Sequence, residues 1–243
     1  MDERLKRVID DSNRIVFFGG AGVSTESGIP DFRSETGLYH ARQVYGYAPE
    51  TMLSDTFYYG HPELFFKYYK ENLIYLDVEP NDAHKALAKL EQEGKVKAVV
   101  TQNIDGLHQK AGSRTVHELH GSVLRNYCEK CGKFFDLDYV MDESHCRKGV
   151  PYCDCEGCGG RVKPDVVLYG EMLDDDVVSA AVNAISSADT LIIGGTSLAV
   201  YPAAGLIHYF RGKHLVLINK TPTPYDRHAT LVINEPIGKV MKY

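Results

Sequence analysis

Arg14-Ile15-Val16-Phe17-Phe18 runs directly into Gly19-Gly20-Ala21-Gly22-Val23-Ser24-Thr25-Glu26-Ser27-Gly28-Ile29-Pro30-Asp31-Phe32-Arg33. The first part is continuously apolar from Ile15 to Phe18, as in a strand covered on both faces. It then breaks into glycines, which lack a Cβ and let a backbone come within hydrogen-bonding distance of a phosphate. The segment ends in acid, aromatic and base on adjacent positions, Asp31-Phe32-Arg33. A phosphate loop that terminates in reactive side chains points to a cofactor that is consumed, not merely held. The glycines alone are a weak signal. A hydride-transfer fingerprint requires Gly-x-Gly-x-x-Gly, and here Thr25 holds the third position. The acidic residue expected about twenty positions further on is also missing.

The same rhythm recurs along the chain. Apolar runs at 97–101, 189–194, 214–218 and 230–233 follow helical patterns at 82–93, 177–185 and 203–210, and a further helix is expected to start near Val23. Helices alternating with doubly buried strands predict an α/β fold: a doubly wound, mostly parallel, Rossmann-like sheet. The ligand of such a sheet sits beyond the carboxyl ends of its strands. Each predicted strand ends in polar or glycine-rich residues: Gly19-Gly20, Gln102-Asn103, Gly194-Gly195-Thr196-Ser197 and Asn219.

Two stretches depart from this rhythm. Residues 34–79 are rich in tyrosine and phenylalanine with helix-like patches, and 123–162 hold every cysteine. Both are expected to be insertions, together forming a smaller lobe made of a helical segment and a zinc-binding module. The sheet domain is then 1–33, 80–122 and 163–243. A chain of 243 residues carrying 44% apolar and 25% charged residues can bury a full core. Its net charge of −6 argues against nucleic-acid or anionic-membrane binding as the main activity. The N-terminus reads as a charged helix start with no secretory signal, and no apolar run approaches a bilayer span. A cytoplasmic protein is expected.

All six cysteines lie between Cys128 and Cys158. Two Cys-x-x-Cys knuckles, Cys128/Cys131 and Cys155/Cys158, offer the four thiolates of a tetrahedral zinc site, against the alternatives of a disulfide or free thiols. Cys153 leaves a Cys153/Cys158 pair open. Four cysteines leave no open coordination position, so the expected metal is structural. Acidic and basic residues nearly balance from 128 to 163, without the basic face of a nucleic-acid-binding ribbon.

Thr101-Gln102-Asn103-Ile104-Asp105-Gly106-Leu107-His108 follows the second strand, and Val116-His117-Glu118-Leu119-His120-Gly121-Ser122 comes soon after. His117 and His120 are three apart, whereas the zinc-protease helix needs four, so a catalytic metal reading fails. A histidine before Gly-Ser is better placed as a general base, since imidazole titrates near neutrality.

Gly-Ala-Gly-Val-Ser-x-x-Ser-Gly-Ile-Pro-Asp-Phe-Arg at 20–33, the 101–108 segment, His120-Gly121-Ser122, the paired knuckles, Pro-Asp-Val-Val-Leu-Tyr-Gly-Glu at 164–171 and Gly-Thr-Ser-Leu at 195–198 stand in one order. In that order, and over nearly its full length, the chain resembles the sirtuins, NAD-dependent protein lysine deacylases, of bacterial catalytic-core type. The resemblance implies that NAD is a consumed co-substrate. The acyl-lysine oxygen would attack the anomeric carbon of the nicotinamide ribose and expel nicotinamide. His120 would take a proton from a ribose hydroxyl, and the products would be lysine and O-acyl-ADP-ribose. It further implies that Asn103 and Asp105 hold nicotinamide and its ribose and that Gln102 contacts the ribose. Phe32 would shield the reacting carbon, with Asp31 and Arg33 ordering its loop. Gly20, Ala21, Gly22, Thr25, Gly195, Thr196, Ser197, Asn219 and Ile237 would line the rest of the cofactor.

The resemblance also implies acyl-lysine protein substrates, lying as an added strand against Val167, Leu168, Tyr169 and Gly170, with Val167 on the lysine stem. Glu171 and Asp174-Asp175-Asp176 would either favour basic substrate flanks or simply begin a helix. Sirtuins that prefer acidic acyl groups carry a Tyr-x-x-Arg pair, and Phe66 and Tyr69 align there. An apolar wall suits acetyl or longer neutral groups, with Lys67 or Lys70 as the alternative if the register slips. An ADP-ribosyltransferase and a non-catalytic NAD-sensing or zinc-ribbon module are the competing readings. A monomer is expected.

Overall fold

The computed structural model describes residues 1–31 and 41–242. Six strands form the main sheet: β1 (Ile15–Gly19), β2 (Val96–Thr101), β3 (Val116–Glu118), β9 (Thr190–Gly194), β10 (His214–Ile218) and β11 (Leu231–Ile233). The intervening β4 (Gly121–Cys128), β5 (Phe134–Phe135), β6 (Cys146–Arg147), β7 (Val150–Pro151) and β8 (Val162–Val166) lie outside it.

The main sheet runs β11-β10-β9-β1-β2-β3, with every pairing parallel. Residue alternation along β1 explains why it is covered twice. Ile15 and Phe17 pack with the helices Glu3–Asp10, Asp82–Gln92 and Ile237–Met241 on one face. Val16 and Phe18 pack with the helix Asp175–Ser187 and the 203–209 segment on the other. From β1 the chain proceeds to β2 and β3 on one side, then returns to β9, β10 and β11 on the other. The direction reverses between β1 and β9, which is where an open parallel sheet leaves a crevice for a ligand.

Two predicted helices are absent as α-helices. The loop after β1 forms two short 3-10 turns, Ala21–Val23 and Thr25–Ser27, which end at Gly28 in the left-handed region (φ 95°). The segment Ala203–Tyr209 is likewise 3-10. The first is held short where Gly20 and Gly22 bond Gly194 and Gly195, which leaves it no room to propagate an α-helix.

A third core joins the two insertions. Phe57, Tyr58, Phe65, Phe66 and Tyr69 from the helical segment pack against Val123, Phe135, Val140 and Val162 from the cysteine-bearing segment. Its sheet, β5-β4-β8, is antiparallel and extends past 123–162: β4 begins at Gly121 and β8 ends at Val166. Among the described residues, no helix is long and apolar enough to cross a membrane.

Gly121 fixes the joint between this small sheet and the large one. Its φ is +74°, and a Cβ there would lie 1.9 Å from the carbonyl oxygen of Asp165 on β8. A left-handed alanine costs about 1–2 kcal/mol before any clash. Gly121→Ala is therefore expected to destabilise the protein by roughly 2–4 kcal/mol, read as a lowered denaturation midpoint. A midpoint within about 0.5 kcal/mol of the parent, as for an ordinary surface substitution, would show that the two strands do not meet this closely.

Candidate active site and cysteine cluster

The carboxyl ends of the parallel strands are stitched to one another. Gln102 N–H donates to Gly19 O (3.0 Å), Gly20 N–H to Gly194 O (3.2 Å), Gly22 N–H to Gly195 O (2.8 Å) and Gly195 N–H to Ile218 O (3.0 Å). The glycines permit this contact as much as any approach to a phosphate. A Cβ on Gly20 would lie 2.8 Å from Thr196 Cβ, and one on Gly22 would lie 2.8 Å from Gly195 Cα. The 20–22 and 195–196 loops press together at the switch point and leave a cradle of backbone at its rim.

Beside them opens a cleft of ≈ 340 Å³, walled by Ala21, Ser24, Gln102, Asn103, Asp105 and His120 on the sheet side. Val166 to Glu171 face it from the opposite side. Inside it a small relay is visible. Asn103 Nδ2 donates to Ser24 Oγ (3.0 Å), and Ser24 Oγ–H donates to Asp105 Oδ2 (2.6 Å). Asp105 Oδ1 accepts the Leu107 N–H at 2.9 Å. Burial raises the Asp105 carboxyl above its ordinary value, with the Ser24 hydroxyl and the Leu107 amide opposing the shift. Sequence reasoning does not single out Ser24, although it stands inside the decisive loop. Its role depends on a partner 81 residues away.

His120 is held from behind. Its Nδ1 lies 2.9 Å from the Gln102 carbonyl oxygen. A carbonyl only accepts, so Nδ1 carries the proton and Nε2 keeps the lone pair that can receive one. The His120 carbonyl accepts the Val167 N–H at 3.0 Å, which joins the base to the opposite wall.

The remaining sequence-predicted residues fall into groups. Thr196 is buried, and its Oγ1 accepts from Gln102 Nε2 (3.3 Å) and Leu198 N–H (3.2 Å). Ser197 is exposed at the rim, and Asn219 Nδ2 donates to Thr221 O at 2.8 Å. Thr25 turns its hydroxyl inward to Gly22 O (3.0 Å). Asp31 ends the described loop, half-buried, while Phe32 and Arg33 lie outside the described residues.

Two expectations need correction. The Ile237 side chain is buried in the core, with its Cδ1 2.2 Å from where a Cβ on Gly194 would lie, so it supports the β9 turn from beneath and only its backbone is left to meet a ligand. Phe66 and Tyr69 are fully buried and absent from the cleft wall, where the same helix, Pro62–Asn72, presents Tyr68 and Asn72. Helical geometry places residues four apart on one face, and the 68/72 face is the one turned to the cleft. Lys70 bonds Glu143 (2.7 Å) and Cys146 Sγ (3.4 Å), and exposed Lys67 is not on the wall either.

The substrate-side strand is also narrower than expected. Leu168 N–H donates to Glu171 Oε2 (2.9 Å), and Tyr169 pairs with the helical segment through Leu53 O (2.9 Å) and Asp55 N–H (3.0 Å). With Val167 N–H on His120, only the Val167 carbonyl and the N–H and C=O of Gly170, within 167–170, lack a hydrogen-bond partner among the described residues. Glu171 is further paired with Lys163 (3.1 Å), and Asp174 caps its own helix by accepting from Asp176 and Val177 N–H. The acidic run is a helix start.

Far from the relay in sequence, the Sγ atoms of Cys128, Cys131, Cys153 and Cys158 all lie within 4.8 Å of one another. Cys128–Cys158 and Cys131–Cys153 separations are 3.5 and 3.6 Å. Tetrahedral zinc with bonds of about 2.3 Å places its sulfurs about 3.8 Å apart, so the donor set fits that ion. Cys153, not Cys155, completes the set. The reason is the knuckle backbone: Lys130 N–H donates to Cys128 Sγ (3.4 Å), and Cys155 N–H donates to Cys153 Sγ (3.4 Å). Cys155 thus takes the Lys130 place in the second knuckle. The Cys-x-x-Cys spacing at 155–158 misleads because the loop closes from Cys153 to Cys158, a longer path than in the first knuckle.

Comparison with known proteins agrees with this geometry. The Sir2 family model matches residues 20–202. The chain is 60% identical over 238 residues to an NAD-dependent protein deacetylase of Clostridium acetobutylicum, covering 98% of this chain and 95% of that protein. A Clostridium perfringens protein of the same description is 62% identical over 239 residues, covering 98% and 96%. Among solved structures, Sir2 with a peptide and NAD+ superimposes with a TM-score of 0.86 at 38% identity, covering 98% of this chain and 95% of the other. Sir2 bound to acetylated peptide gives 0.85 at 37% identity, covering 98% and 94%. With a family model spanning most of its length and relatives this similar end to end, the chain belongs to the Sir2 family.

Proposed function

We infer that this chain is an NAD-dependent protein lysine deacetylase that moves the acyl group of acyl-lysine proteins onto ADP-ribose and releases nicotinamide. The observation that carries the reading is the joint presence, in one cleft at the sheet's switch point, of the Asn103–Ser24–Asp105 relay and a His120 whose tautomer is set by Gln102 O. NAD, when bound, supplies the ribose that accepts the acyl group and the nicotinamide that leaves. Asn103 and Asp105 orient that end of the cofactor, and Ser24 holds the two side chains relative to each other. His120 Nε2 takes the ribose hydroxyl proton. Gly20, Ala21, Gly22, Gly195, Thr196, Ser197 and Asn219 surround the phosphates and adenosine.

The acyl-lysine enters from the Val167 side. Its chain reads the Val167 carbonyl and the Gly170 peptide group, a two-point contact in place of a full added strand. Cys128, Cys131, Cys153 and Cys158 hold one structural zinc, which leaves no open position for chemistry. Residues 41–79 and 123–162, with the rest of β8 to Val166, make the small lobe. The monomeric state and the cytoplasmic location expected from the sequence belong to this proposal, and light scattering at assay concentration tests the first.

The test is mass spectrometry of an acetyl-lysine peptide incubated with and without NAD. Loss of acetyl only with NAD, alongside nicotinamide and O-acetyl-ADP-ribose, is expected. A peptide or protein heavier by ADP-ribose, with the acetyl retained, would replace the reading by a transferase. No turnover of NAD would leave a binding module.

Acyl preference follows from the wall. Among the described residues lining the cleft there is no lysine or arginine, and Asp105 and Glu171 are the charged ones. An acyl carboxylate would be buried without a counter-charge, which costs several kcal/mol. Acetyl and propionyl peptides should therefore exceed succinyl peptides in kcat/KM by about 100-fold or more. Equal rates would place a cation in the cleft that the described residues do not supply.

A further inference from the structure

We propose that His84 and His108 enclose a buried water site that ties the cofactor loop to the turn carrying Asp105. The two rings lie behind the cleft, 0% and 1% exposed, with centroids 4.7 Å apart and planes at 62°. His84 sits in the first turn of the helix Asp82–Gln92. Its Nδ1 accepts the Asn81 N–H at 3.3 Å, so its proton resides on Nε2. That Nε2–H has no partner among the described residues, and neither ring nitrogen of His108 has one. Burial lowers His84 to about 4 and His108 well below its ordinary value, the neighbouring ring adding to the latter. Both are neutral, each offering what a bridge needs: a donor on His84, and one donor and one acceptor on His108, whichever its tautomer.

Three unpartnered polar atoms in one ring–ring contact demand an occupant, because buried polar groups are almost always hydrogen-bonded. A water accepts from His84 Nε2–H and donates to His108, and about two to four polar partners are what a buried water requires.

The position of the pair gives the site its role. Asn81, which bonds His84, also donates from Nδ2 to Val23 O (2.7 Å) and Ser27 Oγ (3.0 Å) on the cofactor loop. His108 lies in the short helix Leu107–Lys110, whose first N–H is held by Asp105. The water thus closes a path from the loop, through Asn81 and His84, to His108 and Asp105. His84 and His108 are positioning residues and touch no substrate.

The deciding measurement is a wild-type crystal structure at about 1.5 Å or better, expected to show an ordered water within hydrogen-bonding distance of both rings. His108→Phe, which keeps a ring and removes both nitrogens, should raise KM for NAD about tenfold with kcat at saturating NAD within about twofold. His108→Gln, which restores a donor and an acceptor, should recover most of that loss. Density with no ordered water within hydrogen-bonding distance of both rings would overturn the proposal. So would a His108→Phe enzyme with unchanged KM for NAD. If the Phe variant does not fold, the wild-type density decides alone. The kinetic arm rests on the cleft being the NAD site; the crystallographic arm does not, so the two failures are distinguishable.

Discussion

His120→Ala should lose about 10²–10⁴-fold in deacetylation rate, the range for one positioned general base, while NAD affinity stays within about twofold. The two effects separate because different atoms of His120 serve different ends. The imidazole moves the proton, and its Nδ1–H is spent on Gln102 O. The backbone carbonyl of His120 accepts from Val167 and survives the substitution, so the opposite wall of the cleft keeps its place. His120→Gln offers no lone pair of comparable basicity and should fare no better than alanine. Activity within about tenfold of the parent would remove His120 from the chemistry. Retained ADP-ribosylation with lost deacetylation would favour a transferase, since that reaction does not need the ribose hydroxyl deprotonated in the same way. A module that only senses NAD would be untouched by either change.

What the sequence reveals of this molecule, and what it hides, follows a physical line. The parallel sheet is legible because each strand is short, continuously apolar and capped by polar residues, as Phe17-Phe18-Gly19 and Ile192-Ile193-Gly194 show. Asn103 and Asp105 stand out because they follow the apolar β2, whereas His120 is read from its place before Gly121-Ser122, since the half-buried β3 that precedes it, Val116-His117-Glu118, carries no apolar pattern. Ser24 escapes notice for the opposite reason: its importance lies in a bond to Asp105 that no local pattern encodes. Phe66 and Tyr69 mislead because an aligned position says which turn of the helix, not which face. Tyr68 and Asn72 meet the cleft from one side of the helix, while Phe65, Phe66 and Tyr69 are fully enclosed in the core shared with the cysteine-bearing segment. The direction of the Ile237 side chain is hidden in the same way, since it packs beneath the β9 turn. Side-chain direction across a long sequence separation is what a single sequence does not carry.

The second large effect lies in the cysteine cluster, where two near-identical substitutions should part company. Cys153→Ser should lose zinc, as should serine at Cys128, Cys131 or Cys158, whereas Cys155→Ser should keep one ion per chain by elemental analysis. The four retained sulfurs already stand at near-tetrahedral spacing, and Cys155 contributes a backbone N–H to the Cys153 sulfur, which serine supplies equally well. The energetic stake is high. Isolated zinc modules owe about 10 kcal/mol or more of folding free energy to their ion. Here part of that load is shared, since Cys128 and Cys153 also pack in the core with Phe65 and Tyr69. A loss of about 5 kcal/mol would lower the melting temperature of a chain this size by roughly 10–20 °C. Chelation should do the same to the parent and nothing further to Cys153→Ser. Because Lys163 reaches from the end of this module to Glu171, melting the small lobe also frees the Leu168 N–H from its carboxylate. Peptide KM should therefore rise before NAD binding weakens. Retention of zinc by Cys153→Ser with loss in Cys155→Ser would reverse the assignment and return the ligand set to the spacing read from sequence.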